Sequence, residues 1–269
     1  MRFRGAYMSK SKLERSLYPS VVCHFTRRSS VLISILQSMF FKVSYAKEEI
    51  IGTDASRTFG IPMVSFCDIR LSQLNEHITK YGRYGIALNK GWAISNGLNP
   101  VSYISKDCSM FGRLDARLRE LRSSMKHIKS EGAFEEYKMA LEQYNDFINT
   151  MRYMKNYEGN LIRNKKPLIK NYRFANEHEW RYIPDVDSDI IPIKKIVTGT
   201  NWKAEANKLI AQKTCSQLNF SLDDVRYVFI KDDAMSQKII KKLQTILNEK
   251  DFSLIMTKIL ITNQVMDDF

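Results

Sequence analysis

Two short blocks of this sequence combine residue types that do chemistry with a spacing that lets them act together. The first is Cys23-His24-Phe25-Thr26, which ends a compact apolar run just ahead of a serine pair. On a strand, successive side chains alternate, so His24 and Thr26 point to one face. An imidazole and a hydroxyl at a strand exit can meet a ligand without being buried unpaired. The alternative is a hydrogen-bonded core histidine beside a capping threonine. The second block is Asn176-Glu177-His178-Glu179-Trp180-Arg181-Tyr182. Extended, it places Glu177, Glu179 and Arg181 on one face and His178, Trp180 and Tyr182 on the other. Carboxylates gathered on one strand face are costly to bury unless paired or employed. Glu179 therefore either works on a substrate or pairs with Arg181 or a basic neighbour on a solvated edge.

Other chemistries leave no fingerprint. Neither G-x-G-x-x-G nor G-x-x-x-x-G-K-[ST] occurs, and Tyr182 stands where H-E-x-x-H would need its second histidine. The four cysteines (Cys23, Cys67, Cys108, Cys215) form no C-x-x-C pair, so neither a zinc site nor a disulfide framework is indicated, and a reducing cytoplasm is expected. No metal is indicated.

Charge points outward to partners. The 269 residues carry 42 Lys+Arg against 29 Asp+Glu, a formal charge of +13, which attracts polyanions. Residues 113–173 hold fourteen Lys/Arg and eight Asp/Glu, and within them Arg163, Lys165, Lys166, Lys170 and Arg173 form a run without acids. That run is the candidate surface for nucleic acid or a partner protein. At 44% apolar residues the chain can bury a sizeable core, and its longest apolar run, Val31 to Phe41, is too short to span a membrane.

The elements that must position these residues follow from the hydrophobic pattern. Strands are predicted at Ser20–Thr26, Phe41–Tyr45, Ile61–Cys67, Ile86–Leu88, Val101–Ile104, Glu179–Ile183, Lys194–Thr198, Val225–Ile230 and Lys258–Val265. Helices are predicted at Val31–Phe40 behind a Ser N-cap, Leu71–Lys80, Asn89–Asn96, Trp202–Lys213 and Ala234–Leu247, the last capped by Asp232/Asp233. Gly52–Gly60 reads as a polar loop. In the centre, Leu114, Leu118, Leu121, Met125 and Ile128 recur at alternating four- and three-residue intervals. Phe134, Tyr137, Leu141, Tyr144, Ile148 and Met151 do the same, and the short link between the two series predicts an antiparallel helical hairpin. The expected architecture is α+β with a mixed or antiparallel sheet: a basic N-terminal arm (1–17), then one domain (18–269) with the hairpin inserted at about 110–160.

The stretch from Ile61 to Ile104, including F-C-D-I, Y-G-x-Y-G-I and N-G-L-N-P-V, resembles the AbiGi family, with His24-Phe25-Thr26 upstream and E-H-E-W-R downstream. These are bacterial abortive phage-infection proteins labelled as antitoxins beside a nucleotidyltransferase-like toxin. The resemblance covers about residues 20–235 and implies anti-phage defence. More distantly, the H-x-T strand exit, Ile35-Leu36, Pro62 to Phe66 and a late Glu-led strand followed by Ile193-Lys194-Lys195-Ile196 are similar to DarT-type ADP-ribosyltransferases. That similarity implies an ADP-ribosyltransferase-like sheet, NAD as substrate held by His24 and Thr26, and Glu179 as the catalytic acid. Arg57 and Arg70 are positional candidates for an NAD-binding arginine. In that role Glu179 would hold a ribose hydroxyl and stabilise positive charge as nicotinamide leaves. The two functional expectations are therefore an NAD-using, transferase-like effector, or a non-catalytic antitoxin that binds a toxin or nucleic acid.

Overall fold

A computed structural model describes residues 19–163, 166–184 and 201–268. In chain order the elements are β1 (Val21–Thr26), α1 (Ser29–Ser38), β2 (Phe40–Lys42), β3 (Ser44–Ile51), β4 (Ser56–Cys67), α2 (Leu74–Tyr81), β5 (Tyr84–Asn89) and α3 (Lys90–Ser95). Then come β6 (Asn99–Pro100), β7 (Ser102–Ile104), α4 (Ser109–Glu131), α5 (Phe134–Arg152), β8 (Met154–Asn156), β9 (Gly159–Arg163), β10 (Lys166–Tyr172) and β11 (Glu179–Tyr182). The last are α6 (Trp202–Ile210), β12 (Gln217–Asn219), β13 (Val225–Ile230), α7 (Asp233–Ile246), α8 (Glu249–Met256), β14 (Ile259–Ile261) and α9 (Thr262–Asp268). The fold is α+β with both parallel and antiparallel strand pairs, as the sequence pattern predicts. The described residues divide into two compact units, one made of 19–39, 66–94 and 220–268 and the other of 40–65, 95–163, 166–184 and 201–219.

In the first unit, β5 is central because its run Tyr84-Gly85-Ile86-Ala87-Leu88 is buried on both faces. It pairs antiparallel with β1 on one side and β13 on the other, and β14 adds parallel to β13. One face of this sheet buries Val21, Cys23, Ala87 and Phe229 against Leu74 and Ile78 of α2. Packed on α7, α1 contributes buried Leu32, Ile35 and Leu36 to the same unit. Gly82 holds the turn into β5 at φ +128°, where a Cβ would lie 2.3 Å from the Thr26 carbonyl oxygen. Only glycine combines that dihedral with that approach.

In the second unit, β3 and β4 form an antiparallel hairpin from Ser44↔Met63 to Ile51↔Ser56, with β11 beside β4 and β6 beside β11. Ile50, Phe59, Ile61 and Met63 of that hairpin meet Phe111 and Leu118 of α4 and Ile148 and Met151 of α5 in one core. The predicted helical pair is thus present, closed by Gly132 in the left-handed conformation at φ +75°.

Several expectations need correction. Gly52–Gly60 is not a polar loop: β4 begins at Ser56, and only 52–55 turn the chain, with Gly52 N–H donating to Ala55 O. Its first residues read as polar because Ser56 and Thr58 take the face away from the core, while Arg57, on the face of Phe59, is paired with the buried Asp115 of α4. The predicted strand at Phe41–Tyr45 is two strands, and α1 starts at Ser29 with Arg28 in the cap position and no side-chain cap. The final strand is only Ile259–Ile261, with α8 before it, where Asn248 accepts from Asp251 N–H, and α9 after it. The strand expected at Lys194–Thr198 and the basic arm lie outside the described residues.

Candidate functional site

The Glu177–Tyr182 block turns on His178. Phe174–Glu177 form one 3₁₀ turn, His178 takes φ 43°, and β11 starts at Glu179. The result keeps the sequence-predicted segregation: Glu177, Glu179 and Arg181 are buried, His178 is exposed, and Trp180 and Tyr182 are half-buried. The expected solvated edge is not found, however. Arg181 has no solvent exposure, so its guanidinium must be satisfied inside the protein.

It is satisfied by carboxylates and carbonyls. Arg181 Nε donates to Glu179 Oε1 at 2.8 Å and Nη2 to Glu179 Oε2 at 3.2 Å, the fork-to-fork geometry of a strong pair. Its Nη1 donates to the Arg152 carbonyl at 2.6 Å, and Glu48 Oε2 lies 3.6 Å from Nη2. Lys155 Nζ bridges Glu177 and Glu179 at 2.7 and 2.8 Å, and sits 5.0 Å from the centre of the Phe174 ring. The Tyr103 hydroxyl accepts from Glu179 N–H at 2.8 Å. Five charged side chains from β3, β8, the 3₁₀ turn and β11 thus converge, three carboxylates on two cations.

Their proton affinities follow. Burial would raise Glu179, but Lys155 and Arg181 outweigh it and hold its carboxyl down to about 2. Burial also dominates at Glu48, and there the two cations, shared with Glu177 and Glu179, leave it above the usual carboxylate range. Tyr103 is pushed up to about 12, chiefly by burial.

Sequence reasoning found Glu177, Glu179 and Arg181 but missed Glu48, Tyr103 and Lys155. Their strands carry no motif: Glu48 comes to β11 through the β3–β4–β11 pairing, and Tyr103 and Lys155 sit on the separate β7–β8 pair. Among the described residues, no group of three or more His, Cys, Asp and Glu could hold a metal ion.

His24 and Thr26 lie in the first unit, on β1, opposite Ile86 and Tyr84. The His24 ring stacks at a tilt on Phe66, centroids 5.6 Å apart, and Thr26 Oγ1 accepts from Arg28 N–H at 3.5 Å. Glu179 belongs to the second unit. Arg57 is engaged with Asp115 at 2.6 Å. In the basic run, Arg163 and Lys166 are register partners closing the β9–β10 hairpin, and Lys165 lies outside the described residues. Lys170 and Arg173 are exposed, with the Arg173 guanidinium 5.5 Å from the centre of the Tyr157 ring.

A second feature of this unit had no motif at all. Along one side of the α4–α5 hairpin run two depressions of about 600 and 610 Å³. They share Arg117 and Phe147 and therefore form one groove from Met110 to Ser124. Leu114, Leu121 and Phe147 supply apolar lining, while Arg113, Glu120 and Asp146 put both signs of charge along it. From Met110 to Ser124 the helix rises about 21 Å, the length of a four-turn helix.

Among protein families, residues 37–231 match the family model described as "Putative abortive phage resistance protein AbiGi, antitoxin". Among curated proteins, the abortive phage resistance protein AbiGi of Lactococcus lactis subsp. cremoris is 29% identical over 227 residues, covering 78% of this chain and 89% of the relative. No solved structure matches. Among the described residues, no helix is long and apolar enough to cross a membrane.

Proposed function

The chain belongs to the AbiGi family of abortive phage resistance proteins, and from that premise we propose that it is the antitoxin of such a system, acting by binding rather than by catalysis. The observation that carries this reading is the groove along α4 and α5. An apolar floor with mixed charges at the rim suits an amphipathic helix of a toxin protein, laid in with its apolar face down. The state of Glu179 weighs the same way. A carboxylate that must stabilise a developing cation works best with its charge uncompensated, and both Glu179 oxygens are already held by Arg181 and Lys155.

The test is direct titration of the purified chain with the toxin of its own system, alongside rescue of toxin-arrested cells. Ser124→Trp with Arg117→Glu, both at exposed groove positions, is expected to weaken the complex at least about tenfold. Glu179→Gln, under conditions where circular dichroism shows it folded, should bind as wild type. Undiminished binding by the groove variant would sink the docking surface. NAD consumption by wild type that Glu179→Gln abolishes would replace the antitoxin reading with the transferase one.

A further inference from the structure

We propose that the other side of the same hairpin binds single-stranded nucleic acid along its phosphate backbone. On α4, Arg119, Arg122, Lys126 and Lys129 recur at intervals of three, four and three residues, which stacks them on one flank of the helix. All four are exposed. The groove takes Arg117, Glu120, Leu121 and Ser124 from the opposite flank, so the two surfaces stand back to back and neither depends on the other.

The cationic flank keeps most of its charge, because Arg119 alone of the four meets an acid of its own helix. The acid in its phase is Asp115, which is buried and bound by Arg57 and Arg119. Glu120 and Glu131 fall on the groove flank, where they meet Arg117 and His127. From Arg119 to Lys129 the helix rises about 15 Å, enough for consecutive phosphates to lie along the stripe.

Chemistry separates a nucleic acid from an acidic protein here. Every residue that α4 exposes between Arg119 and Lys129 is polar. The flank thus lacks the apolar centre around which protein interfaces are built, whereas phosphates require only cations and hydrogen-bond donors. The stripe also ends on aromatic rings. Lys129 Nζ lies 5.6 Å from the centre of the Tyr137 ring, and Phe134, one turn before Tyr137, is 81% exposed. An unpaired base can stack on such a ring and a duplex base cannot, which selects the single strand.

Fluorescence anisotropy with a mixed-sequence DNA strand of about twenty nucleotides, and with its duplex, tests this, since stacking sites take several bases at a time. Four phosphate contacts on a single strand predict a slope of log affinity against log salt near about −3, and Arg122→Glu with Lys126→Glu should reduce it to about −1.5. That variant should lose more than about tenfold in affinity at moderate salt. Phe134→Ala should lose about tenfold on the single strand alone. Arg113→Glu with Arg117→Glu makes the same charge change on the groove flank and should bind nearly as wild type. The proposal is overturned if that control weakens binding as much as the stripe variant. It is equally overturned if wild type binds no strand at low salt, if the duplex binds as tightly and Phe134→Ala is silent, or if polyglutamate competes as well as DNA.

Discussion

Glu48 is where the charges of the buried cluster fail to balance. Lys155 and Arg181 face three carboxylates, and Glu48, 19% exposed, is the one left above its ordinary range by burial. A carboxyl with a raised value in the folded state contributes stability at low pH and loses it as pH rises from its ordinary value of 4.5 through the raised one. Glu48→Gln should therefore raise the melting temperature by about 2–4 °C at pH 8, for a gain of about 1 kcal/mol, and the gain should vanish below its ordinary value. Glu179 has the opposite sign. Its stabilisation is complete above 4.5 and lost as pH falls toward about 2. Glu179→Gln should cost about 3 kcal/mol at neutral pH, since it leaves buried cations uncompensated, and the cost should shrink in acid. Melting curves of both variants across pH read the two signs separately. A melting temperature for Glu48→Gln below wild type at pH 8 would mean that its contact with Arg181 outweighs its desolvation.

The helical hairpin is held at one end. Phe111 and Leu118 of α4 and Ile148 and Met151 of α5 enter the core with the β3–β4 hairpin, and Arg57 fastens Asp115 from β4. Beyond Leu118 the apolar stripe of α4 is only half-buried, at Leu121, Met125 and Ile128, and Met139 of α5 is 62% exposed. Ile148→Ala should then cost about 3 kcal/mol, while Met139→Ala should change stability by no more than about 0.5 kcal/mol. Urea midpoints at a constant m-value measure both, and equal losses would show the distal half packed as tightly as the base. The same contrast explains what could be read in advance. The long helices announced themselves through four-three spacing over many residues, and β5 through a continuous apolar run. The first residues of β4 show apolar character at Phe59 against polar neighbours, too little to distinguish a strand from a loop. In the site, Glu179 and Arg181 lie two apart on one strand and were legible as a pair. Their partners Glu48 and Lys155 come from β3 and from the separate β7–β8 pair, and no local pattern marks a partnership made by tertiary packing.

At the scale of the whole chain, the two units are interleaved. Each core draws on segments that are far apart in sequence: Val21, Ala87 and Phe229 share one, and Ile50, Phe111 and Met154 share the other. Neither unit corresponds to a contiguous fragment. Residues 95–219 expressed alone lack Ile50, Phe59, Ile61 and Met63, and are expected to give far-UV helical signal without near-UV structure or a cooperative melt. A cooperative transition in that fragment would show that α4 and α5 carry a core of their own.

Strand β1 pairs with β5, and β5 in turn needs β13 on its other edge. About 200 residues separate β1 from β13. At translation rates of about 5–20 residues per second, the first strand leaves the ribosome roughly 10–40 s before the sheet can close. Each newborn molecule thus passes through an interval in which an apolar strand edge is open to chaperones and proteases. If the chain holds a toxin in check, as proposed above, and must be replenished to do so, the supply of finished protein is sensitive to any event that slows or stops protein synthesis.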